Sequence, residues 1–155
     1  LDADSLNSFQ GKTKNLLKYL DKNKLITPHE AEFHRLFPTI QKNLSNKEKV
    51  LKFLKICKSN ILFKGNITVI GSNKKIILNT RTSSELAVIG SGDVLAGIIT
   101  SLIGDKKMTI GEAASAGVWM HSDIARRYGR GLISEDLIKG IPSMLRRLKN
   151  ERIIR

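Results

Sequence analysis

The run Gly90-Ser91-Gly92-Asp93 has the composition of a phosphate-gripping turn. Glycines at a strand-to-helix turn let the backbone come close to an anion, and the first N–H groups of the helix point at it. Asp93 falls in the first turn of that helix. A carboxylate beside bound phosphate is repelled unless it has work, such as taking a proton from an attacking hydroxyl. The same residues also suit an ordinary helix start, with Ser91 as the cap and Asp93 complementing the helix dipole. Lys64-Gly65-Asn66-Ile67-Thr68 sits between two strand-like runs. A lysine at a strand end can send its ammonium towards phosphates while Thr68 donates a hydroxyl; a plain turn with a solvated lysine fits as well. His29 lies near the positive end of a capped helix, which disfavours protonation and leaves a neutral imidazole for a ligand, unless it is simply a surface histidine. Asp2 and Asp4 flank Ala3 at an expected strand end, where α/β proteins place ligand contacts and where acids also form turns. His34, His121 and Cys57 lack partner spacing for metal binding or nucleophilic catalysis and read as structural.

These residues need a frame to hold them. Leu1 to Asp4 reads as the end of a buried strand running into a turn. A helix is expected from Ser5 to Leu20 with Leu16, Leu17 and Leu20 on its apolar side, followed by a short strand at Leu25-Ile26. Thr27-Pro28-His29-Glu30 reads as a helix start with Thr27 capping, Pro28 first in the helix and Glu30 closing a capping box. Ser45 to Glu48 makes a second box, before a helix with Val50, Phe53, Leu54 and Cys57 on one face. Strands are expected at Ile61 to Phe63, Thr68 to Ile70 and Lys75 to Leu78, with Gly71-Ser72-Asn73 as the hairpin turn between the last two. Leu86 to Val88 would lead into the glycine turn, and the helix beyond it buries Leu95, Ile98, Ile99 and Leu102. Thr109 to Glu112 caps a helix reaching Tyr128. Ser134 opens the last helical region, which Pro142 must kink or restart.

With 155 residues, 41% of them hydrophobic, the chain suits one domain spanning residues 1–155. A single cysteine excludes a disulfide framework and a Cys-rich zinc site. No apolar run has the length of a membrane span and no signal-peptide pattern stands at the front, so the expectation is a cytoplasmic protein with no membrane partner. The first residue is Leu1, which suggests that the chain is a piece of a longer product. The net charge of +13 comes from basic residues spread along the chain, with one cluster from Arg146 to Arg155. That pattern, with few aromatics, favours a solvated basic surface over a nucleic-acid partner and still attracts phosphate-rich small molecules.

The order of the segments is more specific than any one of them. Asp2 to Asn7, Leu25 to Phe33, Leu62 to Gly65, Gly90 to Gly97, Ala116 to His121 and Gly131 to Leu137 together resemble the ADP- or ATP-dependent NAD(P)H-hydrate dehydratases of the ribokinase-like superfamily. The resemblance implies a three-layer α/β/α sandwich, here incomplete because the family's N-terminal strands have no counterpart in the chain. It implies a repair reaction in which ADP or ATP, with Mg²⁺ by analogy, phosphorylates the hydroxyl of hydrated NADH or NADPH (NADHX or NADPHX) and phosphate is then eliminated. Carried over by position, Asp93 is the catalytic base and a substrate contact, His29 a second substrate contact, and Lys64, Gly65, Asn66, Ile67, Thr68, Gly90, Ser91 and Gly92 hold the nucleotide. No metal ligand is identified. Where the family has glycine before the turn, this chain has Glu85, and Val88-Ile89 replace threonine and glycine; Ala31 and Ser122 also replace glycines. Added bulk and charge at Glu85 and Ile89 should weaken phosphate binding. The alternatives are an inactive remnant of the same family or a small-molecule kinase of the same superfamily. Homo-oligomerisation, or pairing with a separate N-terminal half, would cover an open sheet edge.

Overall fold

The computed structural model describes residues 1–104 and 108–153. The elements are α1 (Ala3–Asn7), α2 (Thr13–Tyr19), β1 (Leu25–Ile26), α3 (Glu30–Leu36), α4 (Asn46–Ile56), β2 (Asn60–Phe63), β3 (Thr68–Ser72), β4 (Lys75–Asn79), a short 3₁₀ turn (Ser84–Leu86), α5 (Ser91–Gly104), α6 (Ile110–Tyr128) and α7 (Ser134–Ile153). The strands form one mixed sheet in the order β1-β2-β3-β4, parallel between β1 and β2 and antiparallel thereafter. Leu1 runs alongside β1: its amino group donates to the Leu25 carbonyl at 2.8 Å and its carbonyl accepts from the Thr27 N–H at 3.1 Å. These bonds bracket Ile26 as a parallel ladder does, but the expectation of a buried strand end from Leu1 to Asp4 holds only in part, because Leu1 is exposed and Ala3 and Asp4 already belong to α1.

Alternation along β2 and β3 sorts the core into two layers. Opposed pairs Leu62–Ile70 and Phe63–Val69 fix the register, and each pair faces one side of the sheet. Phe63 and Val69 join Phe33, Phe37, Val50 and Phe53 beneath α3 and α4. Leu62 and Ile70 join Leu95, Ile99, Ala113, Ala114 and Val118 beneath α5 and α6. Helices therefore cover both faces, as the three-layer expectation requires. The C-terminal helix α7 packs on α5 and α6 through Leu137 and Met144. Buried Asp123 of α6 ties the two helices by accepting from Arg147 of α7 as well as from Arg127, 2.8 Å away on its own helix.

Several local expectations need correction. The helix expected from Ser5 to Leu20 is two helices: the first ends at Asn7, and the turn that follows, with Gly11 at φ +72°, separates it from the second. The hairpin turn is Asn73-Lys74, both at positive φ, while Gly71 and Ser72 pair within β3. Gly71 serves close approach instead: a Cβ there would lie 2.6 Å from Val50 Cγ1 of α4. As expected, Leu86 to Val88 lead into the glycine turn, and they do so as an irregular loop. Of the two expectations for Pro142, the restart is not met, since the residue lies inside the continuous α7. The expected boxes at Ser45 and Thr109 are both formed, each with a reciprocal glutamate at the third helical position. The last two residues of the basic tail, 154–155, lie outside the described residues.

Gly71→Ala should lower stability by roughly 1–3 kcal/mol through overpacking against α4. Gly97→Ala, on the open side of α5 where a Cβ meets nothing within 4 Å, should instead raise it by up to about 1 kcal/mol through helix propensity. Thermal midpoints of the two variants, compared with the parent, check both signs.

Candidate active site

The site forms where parallel chain segments end. Leu1, β1 and β2 run in one direction, so Asp2, Thr27 and Lys64 emerge at the same edge of the sheet, the edge at which open α/β sheets receive ligands. The Lys64 N–H donates to the Pro28 carbonyl at 2.8 Å, which joins the ends of β1 and β2. Lys64 Nζ donates to Asp2 Oδ1 at 2.8 Å, with both side chains largely buried. Burial alone would raise the Asp2 carboxyl, but hydrogen bonds from Lys64 and Thr27 and the lysine's charge outweigh it and hold the group below the usual carboxylate range. The pair faces the start of α5: a Cβ on Gly92 would meet Lys64 Nζ at 3.7 Å and Asp2 Oδ2 at 3.9 Å. A cation, a carboxylate and the free N–H groups of a fourteen-residue helix thus meet around one glycine.

The turn itself is held from below. Gly90 has φ +80°, and a Cβ there would lie 3.1 Å from Ser134 Oγ, so both backbone conformation and space demand glycine. Ser91 is the first residue of α5, and its side chain does not cap the helix. It is buried, and His121 Nε2 of α6 lies 3.0 Å from its carbonyl oxygen and 3.1 Å from its Oγ. Burial pushes the His121 imidazole down to about 4, against a smaller opposing effect of the Ser91 carbonyl, so it is neutral at physiological pH. His121, expected to be structural, also lines the cleft beside the turn. Its position was available in the pattern Ala114, Val118, His121, whose spacing of four and then three residues puts the imidazole on the buried, sheet-facing stripe of α6.

A cleft of about 600 Å³ opens beside this turn. It gathers Lys64, Gly65, Asn66, Thr68, Ser91 and Gly92 from the expected nucleotide set, and its far wall is the loop from Thr82 to Ala87. Ile67 and Gly90 do not line it: the Ile67 side chain is exposed and Gly90 acts through backbone shape. Exposed Asp93 opens instead onto a neighbouring apolar groove of about 450 Å³ between α5 and α7. Glu85 does not line the cleft and accepts from Ser84 Oγ at 3.4 Å, whereas Ile89 is 98% exposed beside the turn.

His29 differs from expectation in its local role. It is itself the N-cap of α3: its Nδ1 accepts from the N–H groups of Ala31 and Glu32, and Glu32, in place of Glu30, completes the box. Its acceptor capacity is therefore spent on the helix, and Nε2 lies 3.4 Å from the Glu32 carboxylate. His29 adjoins Lys64 in the backbone but does not line the cleft. Among the described residues no group of three or more His, Cys, Asp or Glu side chains is arranged to hold a metal ion. No helix among them is long and apolar enough to cross a membrane.

Comparison with known proteins bears on this geometry. A family model described as NAD(P)H-hydrate dehydratase matches residues 1–142. An ADP-dependent (S)-NAD(P)H-hydrate dehydratase of Neisseria meningitidis is 39% identical over 130 residues, which cover 81% of this chain and 43% of that protein. A bifunctional NAD(P)H-hydrate repair enzyme of Moorella thermoacetica is 33% identical over 160 residues, covering 97% of this chain and 30% of the other. The chain thus spans less than half the length of these curated relatives. Among solved structures, an ADP/ATP-dependent NAD(P)H-hydrate dehydratase of Bacillus subtilis, co-crystallised with ATP/Mg²⁺, superposes with a TM-score of 0.70 at 25% identity, over 79% of this chain and 47% of that one. A ribokinase-like superfamily protein of Enterococcus faecalis gives a TM-score of 0.80 at 24% identity, over 94% of this chain and 51% of the other. The fold is therefore ribokinase-like.

The buried imidazole makes stability depend on pH. An unfolded chain protonates His121 near the ordinary 6.5, whereas the folded chain does so only near 4. Stability is unaffected above the unfolded value and is lost as pH falls through this window, by about 3 kcal/mol in all. Denaturant unfolding at several pH values should show this loss in the parent and its absence in His121→Gln.

Proposed function

The chain belongs to the NAD(P)H-hydrate dehydratase family, and from that premise we propose that its cleft binds ADP or ATP and drives dehydration of NADHX or NADPHX. The observation that carries this reading is the meeting of Lys64, Asp2 and the start of α5 around Gly92, beside a cleft of nucleotide size. The N–H groups of Gly92 and Asp93, unlike that of Ser91, which donates to the Val88 carbonyl, face the transferring phosphoryl group together with the Lys64 ammonium. Their contribution is electrostatic, aimed at charge that shifts onto the phosphoryl oxygens and the leaving nucleotide. The segment Lys64 to Thr68 supplies one wall of the nucleotide seat. Gly90 shapes the turn, and Ile67 takes part only through its backbone.

Asp93 is exposed and opens onto the groove beside the cleft, where in this reading the hydroxyl of the hydrated ring lies. Its carboxylate takes the hydroxyl proton as the oxygen attacks the terminal phosphorus. The P–O bond to the nucleotide breaks, leaving ADP from ATP or AMP from ADP. The C–O bond to the new phosphate ester then breaks; phosphate departs with the bonding pair and a neighbouring ring proton is lost, restoring the dihydronicotinamide. His29 adjoins Lys64 in the backbone, and in this reading its Nε2, which lies 3.4 Å from the Glu32 carboxylate, leaves that partner to donate towards substrate.

Mg²⁺ is commonly held by one or two carboxylates together with phosphate oxygens, but Asp2 is committed to Lys64 and Asp93 opens onto the neighbouring groove, so no side chain among the described residues is assigned to the ion. When bound, the ion would neutralise phosphate charge. The residues 1–155 are read as one unit of a dehydratase domain, acting in the cytoplasm on a small-molecule substrate.

Purified protein with NADPH hydrate, Mg²⁺ and either ADP or ATP should regain the absorbance of the reduced nicotinamide. Asp93→Asn should lower turnover by about 100-fold or more, with nucleotide affinity changed little. No turnover by the folded parent protein, or full turnover by the variant, overturns the reading.

A further inference from the structure

The contact between His121 and Ser91 determines where a hydrogen atom must go. A carbonyl oxygen only accepts, so the 3.0 Å approach of His121 Nε2 to the Ser91 carbonyl places the imidazole hydrogen on Nε2. Ser91 Oγ lies 3.1 Å from the same nitrogen and shares that hydrogen as a second acceptor. The nitrogen facing Ser91 then has no lone pair to offer, and the hydroxyl hydrogen of Ser91 has to turn to another acceptor. Among the described residues the hydroxyl has no further side-chain partner. It borders the cleft next to Gly92, on the side where an anion would sit.

The imidazole is not free to rearrange. It is 5% exposed, and the α6 stripe that carries it also sends Ala114 and Val118 into the layer of Leu62 and Ile70. The position of α6 on the sheet thus sets the position of Nε2, and Nε2 sets the first peptide of α5. Burial also keeps the ring neutral, so a single N–H is presented to Ser91.

We propose that His121 is a positioning residue that clamps the carbonyl and hydroxyl of Ser91 with one N–H, fixing the peptide that opens α5 and committing the Ser91 hydroxyl to donate to a phosphoryl oxygen in the cleft. The phosphoryl ligand in this proposal rests on the nucleotide reading above; the clamp itself does not. Ser91 thereby acts as a third kind of anion donor beside the turn amides and Lys64.

The test has a readout for each part. Nitrogen-15 spectra of the imidazole in the ligand-free protein should show the Nε2–H tautomer for His121. Amide exchange at Ser91 and Gly92 should quicken in His121→Leu and return to the parent rate in His121→Gln, whose amide N–H can take the place of Nε2–H. Calorimetric titration with ADP and ATP should give an affinity about tenfold weaker in His121→Leu and in Ser91→Ala, a loss of about 1.4 kcal/mol each. The double variant should be no weaker than Ser91→Ala, since both changes remove one interaction. His121→Gln should bind within a few-fold of the parent. The Nδ1–H tautomer, unchanged amide exchange in His121→Leu, or additive losses in the double variant overturn the proposal. If His121→Leu does not fold, the tautomer and the paired affinities of His121→Gln and Ser91→Ala decide the matter. A parent protein with the expected tautomer and amide exchange that takes up no nucleotide supports the clamp and overturns the nucleotide reading alone.

Discussion

Strands β2 and β3 are buried on both faces, and the rest of the molecule follows from that constraint. A strand with no solvent side must send every side chain into one of two apolar layers, so its register cannot slip by one residue without exchanging the two cores. Leu62 and Ile70 belong to the layer of α5 and α6, Phe63 and Val69 to that of α3 and α4. Once these pairs are set, the last residue of β2 fixes where Lys64 leaves the sheet. The same layer that takes Leu62 takes Leu95 and Ile99, which sets the distance at which α5 begins. The meeting of Lys64 with Gly92 is thus a consequence of core packing, reached without any attraction between the two.

What the site adds is charge placed against the preference of its surroundings. Asp2 and Lys64 are both largely buried, and each offsets part of the cost of burying the other. The pair leaves the start of α5 without a net counter-charge, so the helix N–H groups remain the strongest anion-seeking feature there. Solvation divides the carboxylates by role. Asp2, hydrogen-bonded and partly buried, is committed to its lysine, whereas Asp93 one residue beyond the glycine is exposed and free to meet a substrate. The loop before the turn carries the family's least typical residues. Of these, Glu85 does not line the cleft and Ile89 stands in solvent, whereas Ser122, another departure from pattern, is buried and does line it.

Local signals were read correctly where one residue decides the outcome through its own backbone. Ser45 and Thr109 each close a box with a glutamate three residues on, a bond made within a single helical turn whatever the surroundings. They misled where two local readings competed. Gly71 has the chemistry of a turn residue, but its missing side chain is used to admit Val50, and the turn moves on to Asn73-Lys74. Thr27 and Pro28 carry the usual marks of a helix start, yet Lys64 and Leu1 hold them as strand-end backbone. The cap therefore passes to His29, whose ring reaches the same amides.

The sequence by itself determined which segments are apolar on which side, where the helices capped by Ser45 and Thr109 begin, that a glycine turn opens α5, and to which family the order of segments points. Those properties depend on neighbours a few residues away, and periodicity and capping record them directly. Only the tertiary structure decided that Asp2 answers Lys64, that Asp93 and the nucleotide set face different hollows, and that His121 sits under Ser91. Each of these joins residues from 30 to 62 positions apart in the chain or depends on the shape of a surface. The physical reason is that such contacts are selected by how two cores close on a shared sheet, and no local propensity encodes that distance.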